Sequence, residues 1–93
     1  DLLNQIRVRA KLSPYTMGDI KGVDDFLDKM LQERGHEFWW EGNRRADLIR
    51  HGKFIQNAID RGSTTTKPEF VLFPLPQAVI NEGKGIIIQN PGY

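Results

Sequence analysis

Gln32-Glu33-Arg34-Gly35-His36-Glu37-Phe38-Trp39-Trp40-Glu41-Gly42-Asn43-Arg44-Arg45-Ala46-Asp47-Leu48-Ile49-Arg50 carries charged and aromatic side chains at helical intervals. It continues a run in which Val23, Phe26, Leu27, Met30, Leu31 and Phe38 recur at the spacing of one helix face. With Glu33 as zero and about 100° per residue, Phe26 falls at about 20°, Met30 at about 60°, Leu27 at about 120° and Phe38 at about 140°. Asp24 and Asp25 suit the positive end of the helix dipole. The pattern predicts a helix over residues 23–42, with Gly35 tolerated inside it at about 1 kcal/mol relative to alanine. Gly42-Asn43 reads as a break, and a second helix follows over 43–51.

Three charges fall inside the apolar arc: Glu37 at about 40°, Glu41 at about 80° and Arg34 at about 100°. An unpaired charge facing a core costs several kcal/mol, so these groups need partners. Helical spacing offers Arg34 to Glu37, Glu41 to Arg44 or Arg45, and Asp47 to Arg44 or Arg50. Two readings compete. One is a structural ion-pair network of Glu33, Arg34, Glu37, Glu41, Arg44, Asp47 and Arg50 that fixes helix register. The other is a general acid/base pair drawn from the aligned Glu33, Glu37 and Glu41. The equal supply of arginines favours the network.

Other chemistry has less support. His36 and His51 are the two histidines, and no metal-ligand spacing accompanies them. Ser13 and Ser63 lie in loops without a histidine nearby in sequence, which argues against nucleophilic catalysis. Gly83-Lys84-Gly85 lacks the spacing of a phosphate loop. No catalytic residue, metal site or cofactor is expected. Of the two tryptophans, Trp40 falls at about 340°, at the edge of the arc, and reads as core. Trp39 falls at about 240°, opposite the arc, and is the one candidate to contact a ligand. The apolar face of a sugar ring stacks well on an exposed indole.

Working outward, Leu3, Ile6 and Ala10 predict a helix over 1–12 that stops at Ser13-Pro14. Pro14, Gly18 and Gly22 make 13–22 a loop. Residues 54–60 add a helical turn or two, and 61–68 form a loop. Phe70 to Leu75, with Pro74 and Pro76, reads as an extended segment that docks on a core. Residues 77–82 suit one or two helical turns, 83–85 a turn, 86–88 an extended run, and 89–93 a turn ending. The fold class is mainly α, one unit over 1–93 with an irregular tail from residue 62.

Thirteen Lys+Arg against twelve Asp+Glu give a formal net charge of +1, and no tract concentrates the cations. This balance excludes nucleic-acid binding by bulk charge. Without cysteine the chain forms no disulfide. No apolar run reaches the roughly 20 residues that span a bilayer. The first residue is Asp1, already in a helical pattern, which fits a piece of a longer protein.

The quoted stretch resembles the SusD/RagB pattern ER-x-x-E-L-x-x-E-G-x-R-x-x-D-L-x-R. Upstream, Leu3-Asn4-Gln5-Ile6-Arg7-Val8-Arg9-Ala10 looks like the family's N-x-V-R-x-R-A helix. Downstream, Phe73-Pro74-Leu75-Pro76 and Gln89-Asn90-Pro91-Gly92-Tyr93 look like its P-I-P and Q-N-P-G-Y endings. Phe38 replaces the usual leucine, Trp39 a small residue, and Glu82-Gly83 an asparagine-proline. The resemblance implies the C-terminal part of a helical, tetratricopeptide-like protein. It implies a non-catalytic lipoprotein on the cell surface, at the outer membrane, that captures glycans or other nutrients for a SusC-like TonB-dependent transporter. Contact with the membrane would run only through an N-terminal lipid anchor absent from this chain. The residues alone leave two alternatives: a free-standing helical protein-interaction module, and a glycoside hydrolase fragment using the glutamates.

Overall fold

A computed structural model describes residues 2–93. The described residues are helical and irregular, with no strand among them. Five α-helices follow in order: α1 (Leu2–Arg9), α2 (Val23–Glu37), α3 (Arg44–Arg50), α4 (Phe54–Asp60) and α5 (Gln77–Glu82). Two short 3-10 turns, Met17–Asp19 and Pro68–Val71, lie between them. Contacts cluster into two compact units, one ending at His51 and the other spanning Gly52–Tyr93.

In the first unit α2 packs against both α1 and α3. Leu31 of α2 and Leu48 of α3 are its buried apolar residues. Helix α1 is shorter than the predicted 1–12, whose first residue lies outside the described ones. It ends at Arg9 because Lys11 takes a left-handed conformation, φ 59°. The Lys11 N–H then bonds the Val8 carbonyl at 3.0 Å and the Leu12 N–H the Arg7 carbonyl at 2.9 Å. This is the Schellman pattern, which satisfies carbonyls that the helix end would leave open.

Helix α2 likewise stops at Glu37, five residues before the predicted end at residue 42. Trp40 and Gly42 both turn left-handed, φ 67° and 77°, and coil residues 38–42 away from the helix axis. Wheel positions beyond Glu37 therefore do not apply. Trp40, expected in the core, is exposed instead, and so is Glu41. Helix α3 matches its expected place. Gly35 has a packing reason: a Cβ there would come within 2.9 Å of the Arg44 guanidinium, which crosses α2 at this point.

In the second unit α4 packs against the Pro68–Val71 turn. Pro68 starts that turn, a position where its missing N–H costs nothing. The predicted extended segment therefore begins only at Leu72, where φ is −94° and ψ 155°. The chain ending closes on it. Gln89 mimics a strand partner: Leu75 N–H donates to its Oε1 at 2.7 Å, and its Nε2 donates to the Leu75 carbonyl at 2.9 Å. Asn90 Nδ2 donates to the Phe73 carbonyl at 2.6 Å, and the Tyr93 hydroxyl to the Leu72 carbonyl at 2.9 Å. The Tyr93 ring stacks on Phe70, centroids 5.7 Å apart. Gly92 is required twice over, by φ 89° and by Glu69, whose Cβ would lie 2.9 Å from an added Cβ.

Candidate functional site

The charged residues singled out in the sequence lie on α1, α2 and α3, and most reach across helices instead of along one. Helix α1 contains no acidic residue, so its arginines find carboxylates on α2. Arg7 pairs with Glu33, and Arg9 with Glu37. Glu33 is only 5% exposed. Its Oε1 also accepts the Tyr15 hydroxyl at 3.2 Å. The Arg7 guanidinium lies 3.8 Å from the Tyr15 ring centroid and donates through Nε to the Ser13 carbonyl at 2.8 Å. Asn4 locks the same loop by exchanging two 2.8 Å hydrogen bonds with the backbone of Tyr15. Burial, then the hydrogen bond to Glu33, pushes the Tyr15 phenol above its usual range.

Asp47 on α3 is 3% exposed and forms the second centre. Arg34 grips it bidentately, Nε to Oδ2 at 2.9 Å and Nη2 to Oδ1 at 3.0 Å. Arg50 adds a bond of 3.2 Å to Oδ1. The Arg34 hydrogen bonds hold the Asp47 carboxyl below the usual carboxylate range. A carboxylate held in this way is a poor proton donor at neutral pH. Arg34 also lies 4.9 Å from the Phe38 ring centroid.

The individual pairings thus differ from those that helical spacing suggested. Arg34 takes Asp47, not Glu37. Arg44 donates to the Leu31 carbonyl at 2.7 Å, not to Glu41. Glu41 stands exposed in the turn after α2, and among the described residues no ion pair reaches it. Spacing along one helix finds neighbours on that helix only, so the cross-helix partners Arg7, Arg9 and Tyr15 were missed. One signal was available: a helix with arginines and no acids needs carboxylates elsewhere.

Between α1 and α2 lies an apolar groove of about 460 Å³, lined by Leu3, Ile6, Phe26, Met30 and Phe38. Glu33, Arg34 and Glu37 border it, each engaged in an ion pair. Past the end of α2, Trp39 and Trp40 are 73% and 89% exposed, their rings edge-to-face with centroids 6.3 Å apart. Among the described residues no group of His, Cys, Asp and Glu could hold a metal ion. Among the described residues no helix is long and apolar enough to cross a membrane.

These clasps fall on the residues that carry the resemblance: Asn4 and Arg7, Glu33 and Arg34, Arg44 and Asp47, Gln89 to Tyr93. A model of the SusD family matches residues 1–93, the whole chain. The chain belongs to the SusD family. The starch-binding protein SusD of Bacteroides thetaiotaomicron is 28% identical to it over 98 residues, covering 98% of this chain. The chain spans 16% of the length of that SusD relative. No solved structure matches it.

Proposed function

We propose that this SusD-family chain serves as the scaffold end of a non-catalytic, lipid-anchored protein on the outer-membrane surface. The whole protein captures glycans and hands them to a SusC-like TonB-dependent transporter. The observation that carries the reading is the family match along the whole chain, joined to a relative whose name is starch-binding. The geometry supports the scaffold role. Glu33, Arg34, Glu37, Asp47 and Arg50 serve as a structural network between helices, while Arg44 ties α3 to α2 through a backbone carbonyl. Glu41, the remaining member of the expected network, belongs to the exposed turn. Carboxylates committed to guanidinium partners favour binding over acid/base hydrolysis, the reading that would need one of them protonated. Trp39, exposed past the end of α2, is the residue that would meet a sugar.

Calorimetric titration of the full-length gene product with maltoheptaose, cellohexaose and mannohexaose tests the reading. Saturable binding of at least one, without release of new reducing ends, is expected. Binding of none, or turnover abolished by Glu33→Gln, would refute it. Recovery of a TonB-dependent transporter with the protein from detergent-solubilised outer membranes tests the partner.

A further inference from the structure

Residues 72–76 are extended, yet no strand lies among the described residues to pair with them. Leu72 has φ −94° and ψ 155°, and Pro76 has φ −56° and ψ 137°. Phe73 and Leu75 each precede a proline, whose ring holds them in the extended region too. In such a segment alternate residues turn their N–H and C=O groups to opposite edges. Leu72, Pro74 and Pro76 share one edge, and Phe73 and Leu75 share the other. Two of the three residues on the first edge are prolines, which have no N–H to donate. The second edge is the one able to take a partner strand.

The chain ending covers that second edge, and it does so with side chains. Gln89 gives Leu75 both bonds of an antiparallel neighbour. Its Oε1 accepts the Leu75 N–H at 2.7 Å, and its Nε2 donates to the Leu75 carbonyl at 2.9 Å. Asn90 Nδ2 donates at 2.6 Å to the carbonyl of Phe73, two residues back along the same edge. Gln89 Oε1 also accepts the Asn90 N–H at 2.9 Å, which fixes the amide in place. On the opposite edge the Tyr93 hydroxyl donates to the Leu72 carbonyl at 2.9 Å, and the Tyr93 ring stacks on Phe70.

Uncovered, this edge would be a hazard. Phe70-Val71-Leu72-Phe73 is an uncharged run of residues that favour strands. Leu72 and Phe73 stay 46% and 67% exposed. An apolar edge with open backbone groups templates pairing with another chain. A neighbouring strand would satisfy the same groups but present a new open edge of its own. Side-chain amides satisfy them and end the ladder there. We propose that Gln89 and Asn90 are an edge guard, which keeps a second copy of this chain from pairing with residues 72–75. Antiparallel pairing of two identical segments is self-complementary about a two-fold axis, so a second copy fits the edge by symmetry. The inference is independent of what the protein binds.

The test follows self-association of the full-length protein by analytical ultracentrifugation, and new strand pairing by infrared absorption. Gln89→Ala combined with Asn90→Ala should self-associate at least about tenfold more tightly than wild type, with added antiparallel-strand absorption. Adding Phe73→Lys should abolish that gain, because a charge on an edge residue opposes pairing. Asp47→Ala removes a clasp from the other unit and should produce neither signal, which separates the guard from a general loss of stability. Self-association within about twofold of wild type in the double variant would overturn the proposal. So would equal association by Asp47→Ala, or association that survives Phe73→Lys. Where the double variant does not fold, Gln89→Ala and Asn90→Ala singly decide by the same criteria.

Discussion

Asp47 is the residue whose removal should tell most about how α2 and α3 hold together. Its carboxylate is 3% exposed and accepts bonds of 2.9 and 3.0 Å from Arg34 and 3.2 Å from Arg50. Breaking a fully buried ion pair from one side costs about 3–5 kcal/mol, much of it the penalty of the charge left behind. Here that penalty is reduced, because the Arg34 side chain is 37% exposed and can regain water. Arg50, at 69% exposure, loses still less. Asp47→Ala in the full-length protein should therefore destabilise by about 2–4 kcal/mol, read from urea unfolding. The control is Asp25→Ala. Asp25 pairs with Lys29 one helical turn away at 2.6 Å and accepts the Lys21 N–H at 2.8 Å near the surface, and its loss should lower stability far less than that of Asp47. The pH dependence carries a second check. The Asp47 carboxyl is held below its unfolded value by the Arg34 hydrogen bonds. Its contribution is thus complete above the ordinary Asp range of about pH 4, and fades as pH falls through the lower folded value. The gap between wild type and Asp47→Ala should be constant near neutrality and narrow in acid. A penalty equal to that of Asp25→Ala, or a gap that widens in acid, would refute the picture of a buried, charged clasp.

Replacing both partners, Arg34→Met with Asp47→Leu, should cost less than Asp47→Ala alone, since no buried charge is left unpaired; a double-mutant cycle reads the coupling. Gln89→Ala removes both hydrogen bonds to Leu75 and should cost about 1–2 kcal/mol. Hydrogen exchange should then quicken at the Leu75 amide before it does in α2. In the isolated 93-residue chain, amides of residues 52–93 should exchange at lower opening free energies than those of α2 and α3, because no residue of that second unit is buried. Equal protection in both units would contradict this.

The sequence made the helices legible and their ends less so. Periodic apolar residues placed α2 and α3, and short patterns correctly suggested turns at α4 and α5. The α4 ending was readable because Gly62 supplies the left-handed residue of a Schellman cap, φ 90°. At α1 the same task falls to Lys11, and past α2 the chain turns left-handed at Trp40; neither residue has that preference, so the periodic pattern overruns both helices. The error passed from backbone to site. An α2 running on to residue 42 would bury Trp40 and place Glu41 in the apolar arc, whereas the early stop turns both to solvent. The chain ending was unreadable for another reason. Gln89 and Leu75 are fourteen residues apart, and an amide side chain that substitutes for a strand leaves no periodic trace.

The distribution of polar and apolar contacts explains why this segment's most recognisable letters are Arg, Glu, Asp, Gln and Asn. Among the described residues only Leu31 and Leu48 are buried apolar side chains, far too few to fix three helices by shape alone. Directional bonds take over that task. Arg7 on Glu33 joins α1 to α2, while Arg34 on Asp47 and Arg44 on the Leu31 carbonyl join α2 to α3. Apolar groups tolerate sliding, but a bidentate pair holds one register only. The helices can then be fixed while the groove walled by Phe26, Met30 and Phe38 stays open. Because the charges bordering that groove are already paired, whatever covers it needs apolar surface and little charge of its own. Polar residues therefore set the geometry of this segment, and its apolar residues are left largely available for surfaces that meet something else.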